Sequence, residues 1–122
     1  SGGELSRIML SIKSILADKI ELPSIVFDEI DSGVSGEVAN QMGSIMQSMS
    51  KKMQVVSITH LPQIAAKGTE HYSVIKQNEK GITKTSIRKV SGEDRILELA
   101  KMLSGEQVSN VAKENARMLM KN

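Results

Sequence analysis

Two short apolar runs, each ending in chemically active residues, constrain this chain more than any other feature of it. Ser24-Ile25-Val26-Phe27 runs into Asp28-Glu29, and Val55-Val56-Ser57-Ile58 runs into Thr59-His60. Short, β-branched and continuously apolar runs fit strands buried on both faces, the condition of parallel strands in an α/β sheet. Between them Val38, Met42, Ile45, Met46 and Met49 recur at helical spacing, so residues 36–50 read as an amphipathic helix. Strand, helix, strand with short links is a βα unit of a parallel sheet.

The flanking sequence extends this pattern. Leu5, Ile8, Met9, Ile12, Ile15 and Leu16 predict a helix over residues 3–19. A short helix is expected at 62–66, after Pro62. Residues 71–77 and 82–90 alternate as two strands joined around Asn78-Glu79-Lys80-Gly81, a hairpin signal. Two helices, about 93–103 and 106–121, are separated by Ser104-Gly105. Two parallel strands and a hairpin are too few for a stable parallel sheet, whose central strands need neighbours on both sides. The expectation is half of a domain, with missing strands supplied from elsewhere.

Composition removes several functional classes. The chain has 122 residues, with no cysteine and hence no disulfide, thiolate metal site or cysteine nucleophile. A net charge of +2 does not imply nucleic-acid binding by itself, and one Phe and one Tyr are too few for a base-stacking platform. No apolar run approaches the ~20 residues of a membrane span. A cytoplasmic protein with no membrane partner is the expectation.

The motifs carry the chemistry. Ser1-Gly2-Gly3-Glu4 has the form of a capping box, and equally of an anion site where glycine amides and a serine hydroxyl meet a helix start. Asp28 and Glu29 stand at the carboxyl end of a strand, where open α/β sheets bind ligands. There Asp28 suits a water-mediated Mg²⁺ contact, and Glu29 suits orienting or deprotonating water. The plainer reading is a strand ending in solvated acids. Asp31 adds a nearby carboxylate, which also admits a phosphoacceptor pocket. His60 leaves the second strand at the equivalent place, so it joins the acids if the strands are neighbours; His71 reads as structural. Lys76, Lys80, Lys84, Arg88 and Lys89 against Glu79 give a local balance of +4, a solvated face or a contact for DNA phosphate.

Taken in order, Ser1-Gly2-Gly3-Glu4, the strand ending Asp28-Glu29, Gly33-Val34-Ser35 and His60 resemble the signature motif, Walker B strand, D-loop and switch histidine of ABC-type ATPase heads in the SMC-like family. The wording of residues 1–7, 27–36 and 58–66 is similar to its RecN-like members, DNA double-strand-break repair ATPases. The resemblance covers essentially the whole chain, residues 1–122. It implies an α/β fold, the carboxyl-terminal half of a P-loop NTPase head, with parallel strands, flanking helices, a β-hairpin and two terminal helices.

The same resemblance implies roles by position. Ser1, Gly2, Gly3 and Glu4 would contact ATP held by an opposite head, with Gly33, Val34 and Ser35 as the D-loop. Asp28 would serve Mg²⁺, Glu29 the hydrolytic water, and His60 the γ-phosphate. Partners would be the amino-terminal P-loop lobe, a second head in a homodimer, and DNA, with nucleoid association on DNA damage. Ser35 departs from the common pattern, which has Asp there. The chain contains no G-x-x-x-x-G-K-[ST] loop to cradle phosphates, so little hydrolysis is expected from it alone. A reading of another class makes it a non-catalytic module that docks a partner through Met42, Met46 and Met49.

Overall fold

The computed structural model describes residues 2–121. Helix α1 (Gly2–Ile20) leads into strand β1 (Ser24–Asp28), helix α2 (Gly36–Met49), strand β2 (Gln54–Ile58) and the single turn α3 (Pro62–Ala65). Strands β3 (His71–Glu79) and β4 (Ile82–Val90) follow, then helices α4 (Gly92–Ser104) and α5 (Asn110–Lys121). These elements form two compact units, divided between Lys67 and Gly68.

In the first unit β1 and β2 pair in parallel, with Ile25 opposite Val55, Phe27 opposite Ser57 and Asp28 opposite Ile58. Side chains alternate across a strand, so Ile25 and Phe27 face α2 and join its core, and Val26 takes the other face. Phe27, Leu10 and Met42 are the largest fully buried side chains of this unit. The register is pinned at both ends: Gln54 N–H donates to Pro23 O at 3.0 Å, and Glu29 N–H donates to Ile58 O at 2.9 Å. A hydrogen bond from Arg7 to Gln41, 3.0 Å, ties α1 to α2.

Two expectations change here. Met42, Met46 and Met49 do not form a docking face: all three are buried, in one cluster with Phe27, Leu10 and Ile64. The thioethers fill the gap between α2, the sheet and α3, the usual use of a flexible side chain in an irregular core. Helix α1 is present as expected, but its buried positions are Leu10 and Ala17. Leu5, Ile8, Ile12 and Ile15 are exposed, as are Val26, Val56 and Ile58 on the outer sheet face.

In the second unit β3 and β4 pair antiparallel, from His71 opposite Val90 to Glu79 opposite Ile82. Strand β4 matches its expected bounds, and β3 runs two residues past the expected 77, because the turn needs only Lys80 and Gly81. Their φ values of 52° and 80° are both positive, the requirement of the two-residue turn that suits strand twist. Gly81 adopts that conformation without the steric cost any side chain would carry. Helix α5 starts at Asn110 rather than near 106, since Ser109 Oγ accepts the Ala112 N–H at 3.1 Å and caps the helix there. Leu99, Ala100, Ala112 and Ala116 are buried. Arg95, also buried, donates from Nη2 to Gly68 O at 2.6 Å.

Candidate functional site at the carboxyl edge of the parallel strands

The parallel register brings the two chemically marked strand ends side by side. At the end of β1, Glu29 keeps one more strand hydrogen bond, to Ile58 O, and then turns at φ 52°. A non-glycine residue in the left-handed region costs roughly 1–2 kcal/mol, and such strain is tolerated where surrounding structure over-determines it. The turn places Glu29 Oε1 2.6 Å from His60 Nε2, across 31 residues of sequence. As a carboxylate Glu29 only accepts, so Nε2 carries the hydrogen of this bond. Both side chains are open to solvent, Glu29 46% and His60 81% exposed.

Asp28 is exposed beside this pair and makes no side-chain hydrogen bond or ion pair among the described residues. A single free carboxylate fits Mg²⁺, which keeps several waters and binds through one or two carboxylates plus substrate phosphates. Among the described residues no three His, Cys, Asp or Glu side chains gather into an all-protein metal cage. The pocket of three acids weighed from the sequence does not form. Asp31 is 4% exposed and accepts a hydrogen bond from the Thr59 hydroxyl.

The loop after β1 continues through the segment read as a D-loop. Val34 N–H donates to Asp31 O at 3.1 Å, and Ser35 stands at the N-cap of α2 without a side-chain cap bond. The segment read as a signature comes to the same place: a Cβ on Gly3 would lie 3.7 Å from Val34 Cα and 3.8 Å from its Cγ2. Gly2 opens α1, and Glu4 lies in its first turn. Ser1, the proposed cap and phosphate contact, lies outside the described residues.

Some contributors had no signal in the sequence. The Thr59–Asp31 contact is one. Gln63, on α3, stands near His60 in sequence but carried no assigned role there: its Oε1 is buried without a partner among the described residues, and its Nε2 sits 3.4 Å from where a Cβ on Gly36 would be. In the second unit the basic hairpin is partly neutralised. Lys84 pairs with Glu79 at 3.4 Å, Arg88 with Glu98 at 3.8 Å and Lys89 with Glu70 at 2.9 Å. The Lys89 hydrogen bond holds the Glu70 carboxyl below its ordinary range and raises the lysine in turn. These are ion pairs of a solvated face. His71, half-buried, has Nδ1 without a partner among the described residues.

The fold is similar to that of SMC ATPase heads. A solved SMC ATPase, described for ATP-driven dimerization and DNA-stimulated activation, superposes with a TM-score of 0.68 at 19% identity, over 88% of this chain and 64% of that one. The SMC head domain of Thermotoga maritima superposes with a TM-score of 0.62 at 25% identity, over 75% of this chain and 34% of that one. In sequence the chain is RecN-like along essentially its whole length. It is 42% identical to the DNA repair protein RecN of Vibrio cholerae over 120 residues, 98% of this chain and 22% of that protein. Identity is 41% over 121 residues to RecN of Bacillus subtilis and 43% over 120 residues to RecN of Deinococcus radiodurans. The chain thus spans about a fifth of the length of the curated relatives it matches. No protein-family model matches it. No helix among the described residues is long and apolar enough to cross a membrane.

Proposed function

We propose that the chain is the carboxyl-terminal lobe of a RecN-like ATPase head that works in DNA repair, and that its strand-end edge activates the water that hydrolyses ATP. The observation that carries this reading is the 2.6 Å contact between Glu29 and His60 beside the free carboxylate of Asp28. Glu29 is the general base. His60 occupies Oε1 and fixes the carboxylate plane, while Oε2 remains available to take a proton from water. The exposed His60 ring reports the γ-phosphate from the neighbouring strand. Asp28 would hold Mg²⁺ through water; when bound, the ion supplies positive charge to the phosphates.

The remaining parts follow from placement. The approach of Gly3 to Val34 supports reading these two segments as signature and D-loop, facing a nucleotide held by a second head. The apolar side of α1 and the outer face of β1 and β2 are where the P-loop lobe would cover this one. Exposed apolar surface of this extent marks an interaction site. ATP-dependent pairing of two heads, with hydrolysis releasing them, is the cycle this arrangement serves, and DNA is the partner of the full-length protein.

The test is ATP turnover by this chain alone, by this chain mixed with the P-loop lobe, and by the same mixture carrying Glu29→Gln. Turnover in the mixture only, lost with Glu29→Gln, supports the reading. Absence of turnover in a folded mixture, or undiminished turnover by Glu29→Gln, sinks it.

A further inference from the structure

The loops after β1 and β2 share a second, part-buried link besides the Glu29–His60 contact. The Thr59 hydroxyl donates to the Asp31 carboxylate, and Thr59 Oγ1 accepts the Leu61 N–H at 2.9 Å. One hydroxyl thus works as donor and acceptor at once. It bridges across His60, from the residue before it to the residue after it. Asp31 is 4% exposed and makes no ion pair among the described residues. A carboxylate so buried is costly to keep, and hydrogen bonding is what offsets the cost. Its backbone carries a further load, since its carbonyl accepts the Val34 N–H at 3.1 Å.

We propose that Asp31 and Thr59 are positioning residues: the Asp31–Thr59–Leu61 hydrogen-bond chain sets the His60 backbone so that Nε2 reaches Glu29. The geometry is specific. His60 is 81% exposed, so packing does not hold its ring, and only the conformation of its loop aims it. That loop is pinned at one end by the β1–β2 register, through Glu29 N–H to Ile58 O, and at the other by the N–H of Leu61. Removing the hydroxyl frees the second end alone. The consequence for catalysis rests on the ATPase reading above, whereas the consequence for His60 does not.

The experiment therefore has two arms. In the full 122-residue chain, the ¹⁵N resonances of the His60 ring are compared among wild type, Thr59→Val, Thr59→Ser and Glu29→Gln, with thermal melts to confirm folding. Thr59→Val keeps the shape and removes the hydroxyl; Thr59→Ser keeps the hydroxyl. The expected result is that Thr59→Val moves the Nε2 signal toward its position in Glu29→Gln, while Thr59→Ser leaves it near wild type. An unchanged signal in folded Thr59→Val, or equal shifts in both threonine variants, overturns the proposal. In the complete ATPase, Thr59→Val lowers kcat by about 10- to 100-fold, the scale of a misplaced catalytic group, with KM for ATP little changed and activity restored by Thr59→Ser. Full kcat in Thr59→Val overturns the proposed effect on catalysis. Turnover indifferent to Glu29→Gln would instead overturn the ATPase reading, and the ring signals would still decide the positioning role.

Discussion

His60 Nε2 and Glu29 Oε1 lie 2.6 Å apart although 31 residues separate them in the chain. The contact exists because β1 and β2 are parallel neighbours in a register that sets Asp28 against Ile58. Both residues leave their strands at the same edge, and the left-handed turn at Glu29 closes the remaining gap.

The first prediction concerns that carboxylate. Glu29→Gln keeps size and hydrogen-bonding shape but removes the proposed base, so the proposed function predicts that turnover in the complete head falls by about 10²- to 10⁴-fold. Nucleotide binding persists, and head dimers accumulate in ATP. Steady-state hydrolysis alongside light scattering measures both.

Met42 separates a core residue from a docking surface. It is fully buried, so Met42→Ala costs about 2–5 kcal/mol, the range for truncating a buried Met. Met118, 62% exposed on α5, is the contrast, and Met118→Ala stays within about 0.5 kcal/mol. Urea denaturation followed by circular dichroism reads the difference. Equal midpoints for the two variants would contradict the core assignment.

Gly43 sets the spacing of α2 and α3. A Cβ there would meet Lys67 Cγ at 3.1 Å and Gln63 O at 3.4 Å. The lysine side chain moves aside easily, so Gly43→Ala is close to neutral, helped by about 1 kcal/mol of helix propensity. Gly43→Leu cannot avoid the Gln63 backbone, and it displaces α3. The expected loss is about 1–3 kcal/mol, read from the same denaturation curves.

His71 makes the second unit acid-sensitive. Burial of the imidazole, reinforced by the Arg95 charge and opposed by Glu98, holds its pKa below the ordinary 6.5. The unfolded chain therefore binds a proton that the folded chain resists, and stability falls as pH drops below about 6.5. Above that value the contribution is fully present. Tyr72, the one tyrosine, reports this transition by fluorescence. His71→Asn should flatten the slope between neutral and mildly acidic pH, and an equally steep slope in that variant would place its origin elsewhere.

The elements were legible because each signal is local. Helical spacing of Val38, Met42, Ile45 and Met46 marked α2, and the β-branched runs marked β1 and β2. The hairpin was legible from alternation, but its turn was read two residues too wide. What decides that turn is the positive φ of Lys80 with Gly81, and a glycine preceded by lysine is a weaker turn signal than one preceded by asparagine. Helix α1 shows the other limit. Its apolar spacing predicted the helix but not which stripe it buries, since the burial of Leu10 and Ala17 depends on what α2 presents to them.

For the site, residue type and position within a strand were sufficient to nominate Asp28, Glu29 and His60. They could not separate Asp31 from the other acids. One carboxylate is free, one meets a histidine and one is buried on a hydroxyl, a division that depends on turn conformation and on a strand 30 residues away. The sequence by itself determined the order of elements and which side chains arrive at the strand ends, because periodicity and β-branching act over a few residues. Only the tertiary structure decided which of them touch. Contacts between side chains distant in sequence follow the parallel register, and a slip of one residue would turn each of them to the opposite face.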